Sequence, residues 1–265
     1  MDLGLSGKSV IVTGGASNIG RAITLAFAAE GAKITIAELD VALAEKVAEE
    51  AKAKGAGGVQ VVPTDVTKLD QVEAMVQQAV KAHGTVDIHV NNVGWDRPMF
   101  FTKTTPDFWD RIIQINYLGL INCTKAVLDV MLPNNKGAIV AISSDASRQG
   151  EPREAVYGGA KAAVNSFMKT IARENGRYGI RCNCVCPGVT IPDETEARSE
   201  NSMWADVDSM FTPEQQAKAA AALPLKRIGR PADIAPAVLF LASDVTASMI
   251  TGQVLSVSGG YTMIG

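Results

Sequence analysis

The sequence predicts an α/β fold: one domain with a doubly wound parallel sheet of about seven strands and helices on both faces. Three observations predict it. Short, nearly continuous apolar runs alternate with amphipathic segments, as expected of strands buried on both faces. Glycine follows the early helical segments, where it commonly ends a helix. With 265 residues, 47% of them hydrophobic, and no linker or repeat, the chain is suited to one large core and a domain spanning 1–265.

The first half of the chain contains three clear strand–helix pairs. KSVIVT is an apolar run followed by helix formers over about 18–30, which stop at Gly31. KITIAE leads into a helix over about 41–54 that stops at Gly55, and VQVVPTD leads into a helix over about 69–83 that stops at Gly84. Right-handed crossovers then place the helices on both faces of a parallel sheet.

The second half continues the alternation with longer helices. VDIHVNN precedes a long helix over about 106–132, and GAIVAISS precedes a second long helix over about 156–178. IRCNCVCPG and QVLSVSGG are the last two predicted strands. In IRCNCVCPG the three cysteines alternate and share one face, about 6.6 Å apart per step, which is too far for a shared metal or a relaxed disulfide. We interpret them as buried apolar residues and predict no metal site.

Residues at about 189–230 interrupt this alternation. The segment has no strand pattern, contains many acidic residues, and includes large apolar side chains at Met203, Trp204, Met210 and Phe211. A loop this long inside a compact domain is usually functional, and its apolar residues need a surface to cover. We predict a lid over a binding site; the alternative is a solvated surface insertion.

The charge balance gives no reason to propose a nucleic acid or an anionic membrane as partner. There are 25 Lys and Arg residues against 28 Asp and Glu residues, for a net charge of −3, and the chain has no long basic run. No apolar run approaches the ~20 residues that span a bilayer. The N-terminal residues carry an early acid and enter the first strand directly, so we predict no signal peptide and a cytoplasmic protein.

The segment TGGASNIG at 13–20 joins the first strand to the first helix, where a helix N-terminus can hold a pyrophosphate. Gly14 and Gly20 allow a tight turn, whereas Asn18 stands where a glycine is expected. Asparagine tolerates the left-handed conformation better than most residues and is a strong helix cap, so it can begin the helix. The turn residues predicted to contact a dinucleotide are Gly14, Ser17, Asn18, Ile19 and Gly20.

Glu38 ends the second strand, 18 residues after Gly20, which is the spacing of an acid that binds the ribose hydroxyls of NAD. Its carboxylate would repel a 2′-phosphate, and no Arg or Lys lies within residues 14–19 to compensate. The sequence therefore predicts NAD rather than NADP. Asp65 and Val66, after the third strand, are expected at the adenine edge; the alternative for Asp65 is to cap the helix that follows.

A second polar group lies near the later strand ends. Tyr157 and Lys161 are four residues apart in a helical pattern and share a face, and Ser144 precedes Tyr157 by 13 residues at a strand end. A nearby ammonium lowers a tyrosine pKa by about 1–3 units, toward the range of a general base. Asn116 is polar in an otherwise apolar helix. Parallel strands bring these residues to one crevice, with Asn91 and Gly94 as its wall.

Together, TGGASNIG, NNVG, Asn116, Ser144, YGGAK and CPG resemble the short-chain dehydrogenase/reductase family over residues 8–260. The resemblance implies a Rossmann-like fold, hydride transfer between nicotinamide and a carbonyl carbon, and a homotetramer paired through the two long helices and the last strand. It also implies cofactor contacts from Pro187 and Gly188. By it, Tyr157 is the acid/base, Ser144 positions the substrate oxygen, Lys161 holds the ribose and lowers the tyrosine pKa, and Asn116 supports a water-linked proton relay.

The substrate is expected to be a small hydrophobic molecule. Trp95, Trp204 and Met210 are candidate lining residues, which favours an aryl or alicyclic secondary alcohol or its ketone. Motifs such as NNxGWD also resemble 2-hydroxycyclohexanecarboxyl-CoA dehydrogenases, so a hydroxyacyl-CoA substrate is an alternative. Two further alternatives are an NADPH-dependent ketoacyl reductase and a catalytically silent NAD-binding subunit of a hetero-oligomer.

Overall fold

The computed structural model describes residues 1–192 and 211–264. In these ranges seven parallel strands form one sheet in the order β3-β2-β1-β4-β5-β6-β7. The predicted α/β class with a doubly wound sheet is therefore confirmed. The strands are β1 Ser9–Thr13, β2 Lys33–Glu38, β3 Gly58–Pro63, β4 Ile88–Asn91, β5 Gly137–Ile142, β6 Ile180–Pro187 and β7 Val254–Val257.

Helices connect the strands and cover both faces of the sheet. They are α1 Asn18–Ala29, α2 Val41–Ala53, α3 Leu69–His83, α4 Pro106–Ile113, α5 Gly119–Asn134, α6 Ala146–Gln149, α7 Ala155–Asn175, α8 Pro213–Ala222, α9 Pro231–Ala242 and α10 Asp244–Ala247. Three of the predicted helices, α1 to α3, begin at the predicted residues, and β2 has the predicted bounds.

The core has two layers, one on each face of the sheet. Along β1, Val10 and Val12 pack into one layer with α1, α2 and α9, while Ile11 packs into the other with α3, α5 and α7. This is the two-residue alternation of a strand buried on both faces. Both faces of the central strands are therefore buried, so an alternation of polar and apolar residues does not show which side chains point to which layer.

Helix α9 was not predicted, although it packs against α1 over one face of the sheet. It begins with Pro231 and is apolar over nearly its whole length, so it has no clear helical period of polar residues. Its C-terminal carbonyls are capped by Arg181, a 7% exposed side chain on β6. The guanidinium donates to the carbonyls of Leu241 (2.6 Å) and Ala242 (2.9 Å), where a cation also complements the helix dipole.

The long helix predicted over 106–132 is interrupted. Residues Gln114–Leu118 form a turn of π-helix between α4 and α5, and Asn116 lies within it. A π turn adds a residue to the helical repeat and is often found at functional sites. By length and composition, the stretch Pro106–Asn134 could cross a membrane, although the sequence had shown no continuous apolar run of that length. Half of its most apolar window is buried inside the protein.

The three cysteines of β6 are fully buried free thiols, in agreement with their interpretation as apolar packing residues. Burial raises the pKa of Cys182 to about 12. Within residues 1–192 and 211–264, no group of three or more His, Cys, Asp or Glu side chains could hold a metal ion.

His89 is a buried histidine in the central strand β4. Its Nε2 lies 3.0 Å from Asn91 Oδ1, its Nδ1 has no hydrogen-bond partner among the described residues, and burial lowers its pKa to about 4. The folded protein therefore holds this imidazole neutral at pH values where the unfolded chain protonates it.

We expect this histidine to make the protein less stable in acid. Between pH 6.5 and about 4 the unfolded state binds the extra proton, so the free energy of unfolding falls as the pH falls, by up to about 3 kcal/mol from this group. His89→Gln should remove that component. Urea unfolding at pH 7, 5.5 and 4.5 measures it as the difference between wild type and variant, with His83→Gln as a half-buried control. Equal pH dependence in wild type and His89→Gln would contradict the assignment.

Candidate active site

A cleft of about 1120 Å³ opens at the carboxyl ends of the strands. It lies where β1 pairs with β2 on one side and β4 on the other, which is the switch point of a doubly wound sheet. Most of the residues predicted for the site line it. They are Gly14, Ser17, Asn18, Ile19, Gly20, Glu38, Asp65, Val66, Gly94, Trp95, Ser144, Tyr157, Lys161, Pro187 and Gly188.

The turn between β1 and α1 depends on the contact between Gly14 and Gly20. A Cβ added at Gly20 would lie 1.9 Å from the carbonyl oxygen of Gly14, so only glycine allows the turn and the helix to come this close. Gly14 itself has a φ of +61°. Asn18 has a φ of +47° and begins α1, as predicted, while Ser17 occupies the cap position. The Asn18 Oδ1 atom is buried without a hydrogen-bond partner among the described residues.

Asn92, rather than Asn91, holds this turn in place. Its side-chain amide donates to the carbonyls of Thr13 and Gly14, both at 3.0 Å, and its side chain lines the cleft. Asn91 is buried behind the lining, where its amide faces His89 and Thr124. The expectation that the Asn91 side chain forms the cleft wall is therefore corrected to Asn92, because successive side chains at a strand end point to opposite sides; a cofactor contact by Asn91 stays a prediction.

The acid at the end of β2 faces the cleft. Glu38 accepts hydrogen bonds from the backbone N–H of Leu39 (2.8 Å) and Ala16 (3.4 Å), which link it to the phosphate turn, and burial raises its pKa. Arg21, a nearby basic residue, forms an ion pair with Glu50. The Glu38 carboxylate thus has no cation bonded to it among the described residues.

Asp65 lines the cleft and stabilises the turn before α3, but it does not cap that helix. Its Oδ1 accepts from the backbone N–H of Thr67 (2.9 Å) and from the Thr67 hydroxyl (2.7 Å), shortly before α3 begins. The N-cap position of α3 is Lys68, so the capping alternative for Asp65 is wrong, and its contact with the adenine edge stays a prediction. Val66 packs beside it, 6% exposed, and contacts the position where a Cβ on Gly119 would lie.

Ser144, Tyr157 and Lys161 meet on the opposite wall. Tyr157 is in the first turn of α7, and the Ser144 hydroxyl at the end of β5 hydrogen-bonds with its phenol. Lys161, one turn further, is 3% exposed, donates to the carbonyl of Ile142 (3.0 Å), and has its Nζ 5.6 Å from the centre of the Tyr157 ring. Burial lowers the lysine pKa to about 8.

The expected lowering of the Tyr157 pKa is not found in this arrangement. Its pKa is raised, first by burial and then by the carboxylates of Glu154 and Asp96; the Ser144 hydrogen bond acts in the opposite direction but is weaker. The expectation rested on the Lys161 ammonium alone, whereas burial of the phenol and the two acids raise its pKa. The phenol is therefore held in its protonated form, ready to donate.

Asn116 does not line the cleft. Its side chain is 1% exposed, donates to the carbonyls of Trp95 (2.7 Å) and Ile112 (2.9 Å), and accepts from the Trp95 N–H (3.2 Å). A Cβ on Gly94 would lie 3.0 Å from Asn116 Oδ1 and 3.2 Å from Lys161 Nζ. Asn116 thus holds the Gly94–Trp95 backbone against Lys161, behind the surface that a ligand would touch.

The sequence reasoning missed three carboxyl groups that line the cleft around Tyr157, namely Asp96, Glu151 and Glu154. Burial raises the pKa of Asp96 to about 6 and that of Glu154 to about 7. The Tyr261 hydroxyl contacts Glu151. The position of Glu154, three residues before Tyr157 in a helical segment, was an available signal; Asp96 had none, because it is distant in sequence.

Aromatic side chains occupy part of the lining. Trp95 lines the cleft, with the Arg111 guanidinium 3.8 Å from its ring centre and Phe108 at 5.8 Å. Phe211, within the proposed lid, also lines it. The predicted substrate contacts Trp204 and Met210 lie outside the described residues.

A glycine turn at a helix N-terminus, an acid at the end of β2 and a Ser–Tyr–Lys group on a doubly wound sheet define a nicotinamide-nucleotide-dependent oxidoreductase. The chain belongs to the short-chain dehydrogenase/reductase family, and its residues 14–262 match the family described as Enoyl-(Acyl carrier protein) reductase. The resemblance seen in the sequence is thereby confirmed, and an oxidoreductase acting on a small molecule follows from it.

Relatives with assigned names cover nearly the whole chain. It is 36% identical over 258 residues to the 3-oxoacyl-[acyl-carrier-protein] reductase FabG of Chlamydia muridarum, covering 97% of this chain and 98% of the relative. It is 38% identical over 257 residues to that of Staphylococcus epidermidis, covering 97% and 99%. The crystal structure of levodione reductase superposes with a TM-score of 0.87 at 30% identity, covering 96% of this chain and 97% of that one.

The phosphate turn allows a paired test of its glycine and its asparagine. Gly20→Ala should weaken NADH binding by at least about tenfold, because the new Cβ displaces the Gly14 carbonyl. Asn18→Gly should leave the affinity within about threefold, since glycine adopts a positive φ without strain. Fluorescence titration measures both, with circular dichroism as a check on folding. A large loss in Asn18→Gly would mean that the asparagine amide itself binds the cofactor.

Proposed function

We propose that the protein is an NAD-dependent short-chain alcohol dehydrogenase that interconverts a hydrophobic, ring-containing secondary alcohol and its ketone. The observation that carries the proposal is the meeting of Ser144, Tyr157 and Lys161 in the cleft that also holds the phosphate turn and Glu38. The aromatic lining at Trp95 and Phe211 supports an aryl or alicyclic substrate.

The residues fit a dinucleotide. The turn at Gly14 and Gly20 leaves a space that a Cβ at either position would fill. The N-terminus of α1 points its free N–H groups into this space. Gly14, Ser17, Asn18, Ile19 and Gly20 would hold the pyrophosphate, Glu38 the adenosine ribose, and Asp65 and Val66 the adenine edge. Gly94, Lys161, Pro187 and Gly188 would surround the nicotinamide end. When bound, the nicotinamide supplies or accepts the hydride.

The chain's own residues would manage the proton. Tyr157 donates its phenolic proton to the carbonyl oxygen during reduction and accepts it during oxidation, while the Ser144 hydroxyl orients that oxygen. The raised pKa of Tyr157 favours the donating form, and the positive charges of Lys161 and of an oxidised nicotinamide would oppose that shift during oxidation. Asn116 is a positioning residue here, because it acts by holding the backbone beside Lys161. A water-linked relay through it remains part of the proposal.

Glu38 supports NAD over NADP. A 2′-phosphate would approach this half-buried carboxylate, and Arg21 is engaged with Glu50.

We also propose a homotetramer, supported by exposed apolar side chains near the edge strand: Leu255 is 38% exposed, Phe240 38% and Met249 94%. The lid at about 189–230 is kept as a proposal, supported by the position of Phe211 in the cleft wall.

A second candidate function is reduction of a 3-oxoacyl thioester with NADPH. It is favoured by the relatives at 36% and 38% identity, which are named 3-oxoacyl-[acyl-carrier-protein] reductases. A hydroxyacyl-CoA substrate is a related alternative. Both acyl carriers bring phosphates, and the carboxyl groups of Asp96, Glu151 and Glu154 in the cleft disfavour anionic substrates. The Ser–Tyr–Lys group argues against a silent NAD-binding subunit.

Replacing the proposed acid/base tests the reaction. Tyr157→Phe removes only the phenolic hydroxyl, so kcat/KM should fall by at least about 100-fold while the Kd for NADH stays within about threefold. NADH formation with a panel of aryl alcohols, cyclic alcohols and hydroxyacyl-CoA thioesters provides the assay. Tyr178→Phe, away from the cleft, is the matched control. Turnover near wild type in Tyr157→Phe would rule out the assigned base.

Cofactor choice is tested separately at Glu38. Wild type should bind NADH at least about tenfold more tightly than NADPH, equivalent to about 1.4 kcal/mol, and Glu38→Ala should lose most of that preference. Glu45→Ala, an exposed acid on α2, should leave the preference unchanged. Fluorescence titration of both reduced cofactors measures it. Tighter binding of NADPH to wild type would favour the ketoacyl reductase instead.

A further inference from the structure

The carboxyl group of Asp96 is buried and incompletely bonded. The residue is 4% exposed and lines the cleft, yet its Oδ2 has no hydrogen-bond partner among the described residues. A buried carboxylate oxygen normally has a donor, because leaving it unbonded costs the desolvation energy without compensation. The wall of the cleft therefore contains a buried hydrogen-bond acceptor, Asp96 Oδ2, to which none of the described residues donates.

Glu154 is a second acid in the lining of the cleft, which also contains Asp96 and the Tyr157 phenol. It directly precedes α7, three residues before Tyr157, and lines the same cleft. No side-chain hydrogen bond or ion pair to Glu154 exists within the described residues. The Met99 N–H donates to the Arg153 carbonyl (2.8 Å), so the segment that follows Asp96 lies beside the one that contains Glu154, and both acids raise the pKa of Tyr157.

The cations that line this part of the cleft are Lys161, Arg153 and Arg111, and the Lys161 ammonium donates to the carbonyl of Ile142 (3.0 Å) rather than to either acid. Arg153 donates to the carbonyl of Pro98 (3.1 Å) and lies 5.9 Å from the ring centre of Phe100. Arg111 lies against the ring of Trp95. Neither forms an ion pair with Asp96 or Glu154. Burial raises the pKa of both acids, and the Asp96 charge raises that of Glu154 further, as expected for neighbouring carboxyls without a counter-charge.

From this geometry we propose that the substrate carries a basic amine, bound as an ammonium by Asp96 and Glu154 beside Tyr157. This deepens, and rests on, the proposed alcohol dehydrogenase function: the substrate class becomes an aryl or alicyclic amino alcohol and the corresponding amino ketone. The ammonium supplies the donor that Asp96 Oδ2 lacks and offsets the repulsion between the two carboxylates. Trp95 and Phe211 accommodate the ring.

Matched substrates test the amine requirement. The pair 2-amino-1-phenylethanol and 1-phenylpropan-1-ol differs only by an ammonium in place of a methyl group, and 1-phenylethane-1,2-diol adds a neutral donor. We expect kcat/KM for the amino alcohol to exceed both by at least about tenfold. Asp96→Asn should lower the ratio of kcat/KM for the amino alcohol to kcat/KM for the methyl compound by about 10- to 100-fold, since any effect on Tyr157 is common to both substrates. Asp110→Asn, an exposed acid on α4, should change neither.

A binding measurement separates this inference from the proposed reaction. 2-Phenylethylamine lacks the reacting hydroxyl, so calorimetric titration into the NADH complex reports the amine site without turnover. Binding to wild type with at least about tenfold loss in Asp96→Asn supports the site, even if no alcohol is oxidised and the proposed reaction fails. Oxidation of the methyl compound as efficiently as the amino alcohol, or equal loss of both activities in Asp96→Asn, would overturn the amine site while leaving the dehydrogenase function standing.

Discussion

The position of β1 between β2 and β4 is the constraint on which the rest of this structure depends. The chain leaves this strand toward one edge of the sheet and later returns to its other side, so the loops at the carboxyl ends diverge and leave a cleft between them. The contact of Gly20 with the Gly14 carbonyl then sets how close α1 comes to that cleft, and the Asn92 amide fixes the same turn from β4. Two neighbouring strands thereby build one binding surface.

Burial shifts the pKa values of the groups in this cleft more than ion pairing does. Lys161, Asp96 and Glu154 are all shifted toward their neutral forms, and Tyr157 toward its protonated form. Such shifts are common where proton transfer occurs, since a group with a pKa near neutrality both gives and takes protons. The wall around Tyr157 thus differs in character from the opposite wall, where backbone N–H groups dominate.

The sequence predicted most of this arrangement, because strand ends and glycine turns are local features. Its failures have physical causes. Helix α9 is buried along most of its length and lacks a polar period. The side chain of Asn92 rather than that of Asn91 lines the cleft, because successive side chains at the end of the short strand β4 point to opposite sides. The raised pKa of Tyr157 depends first on burial and then on Glu154 and Asp96, and only the tertiary structure creates that burial and brings Asp96 close. Asn116, within the π turn, hydrogen-bonds to the backbone of Trp95, 21 residues away, and this contact too exists only in the tertiary structure.

The buried cysteines have a consequence for studying the protein in solution. Cys123 on α5 and the three thiols of β6 are enclosed, and burial raises the pKa of Cys123 and Cys182 to about 12. Alkylating reagents attack the thiolate, which is scarce at neutral pH and shielded in this fold. Modification of these thiols must wait for the central sheet to open, so its rate reports the frequency of that opening. The chain contains its own probe of the motions of its core.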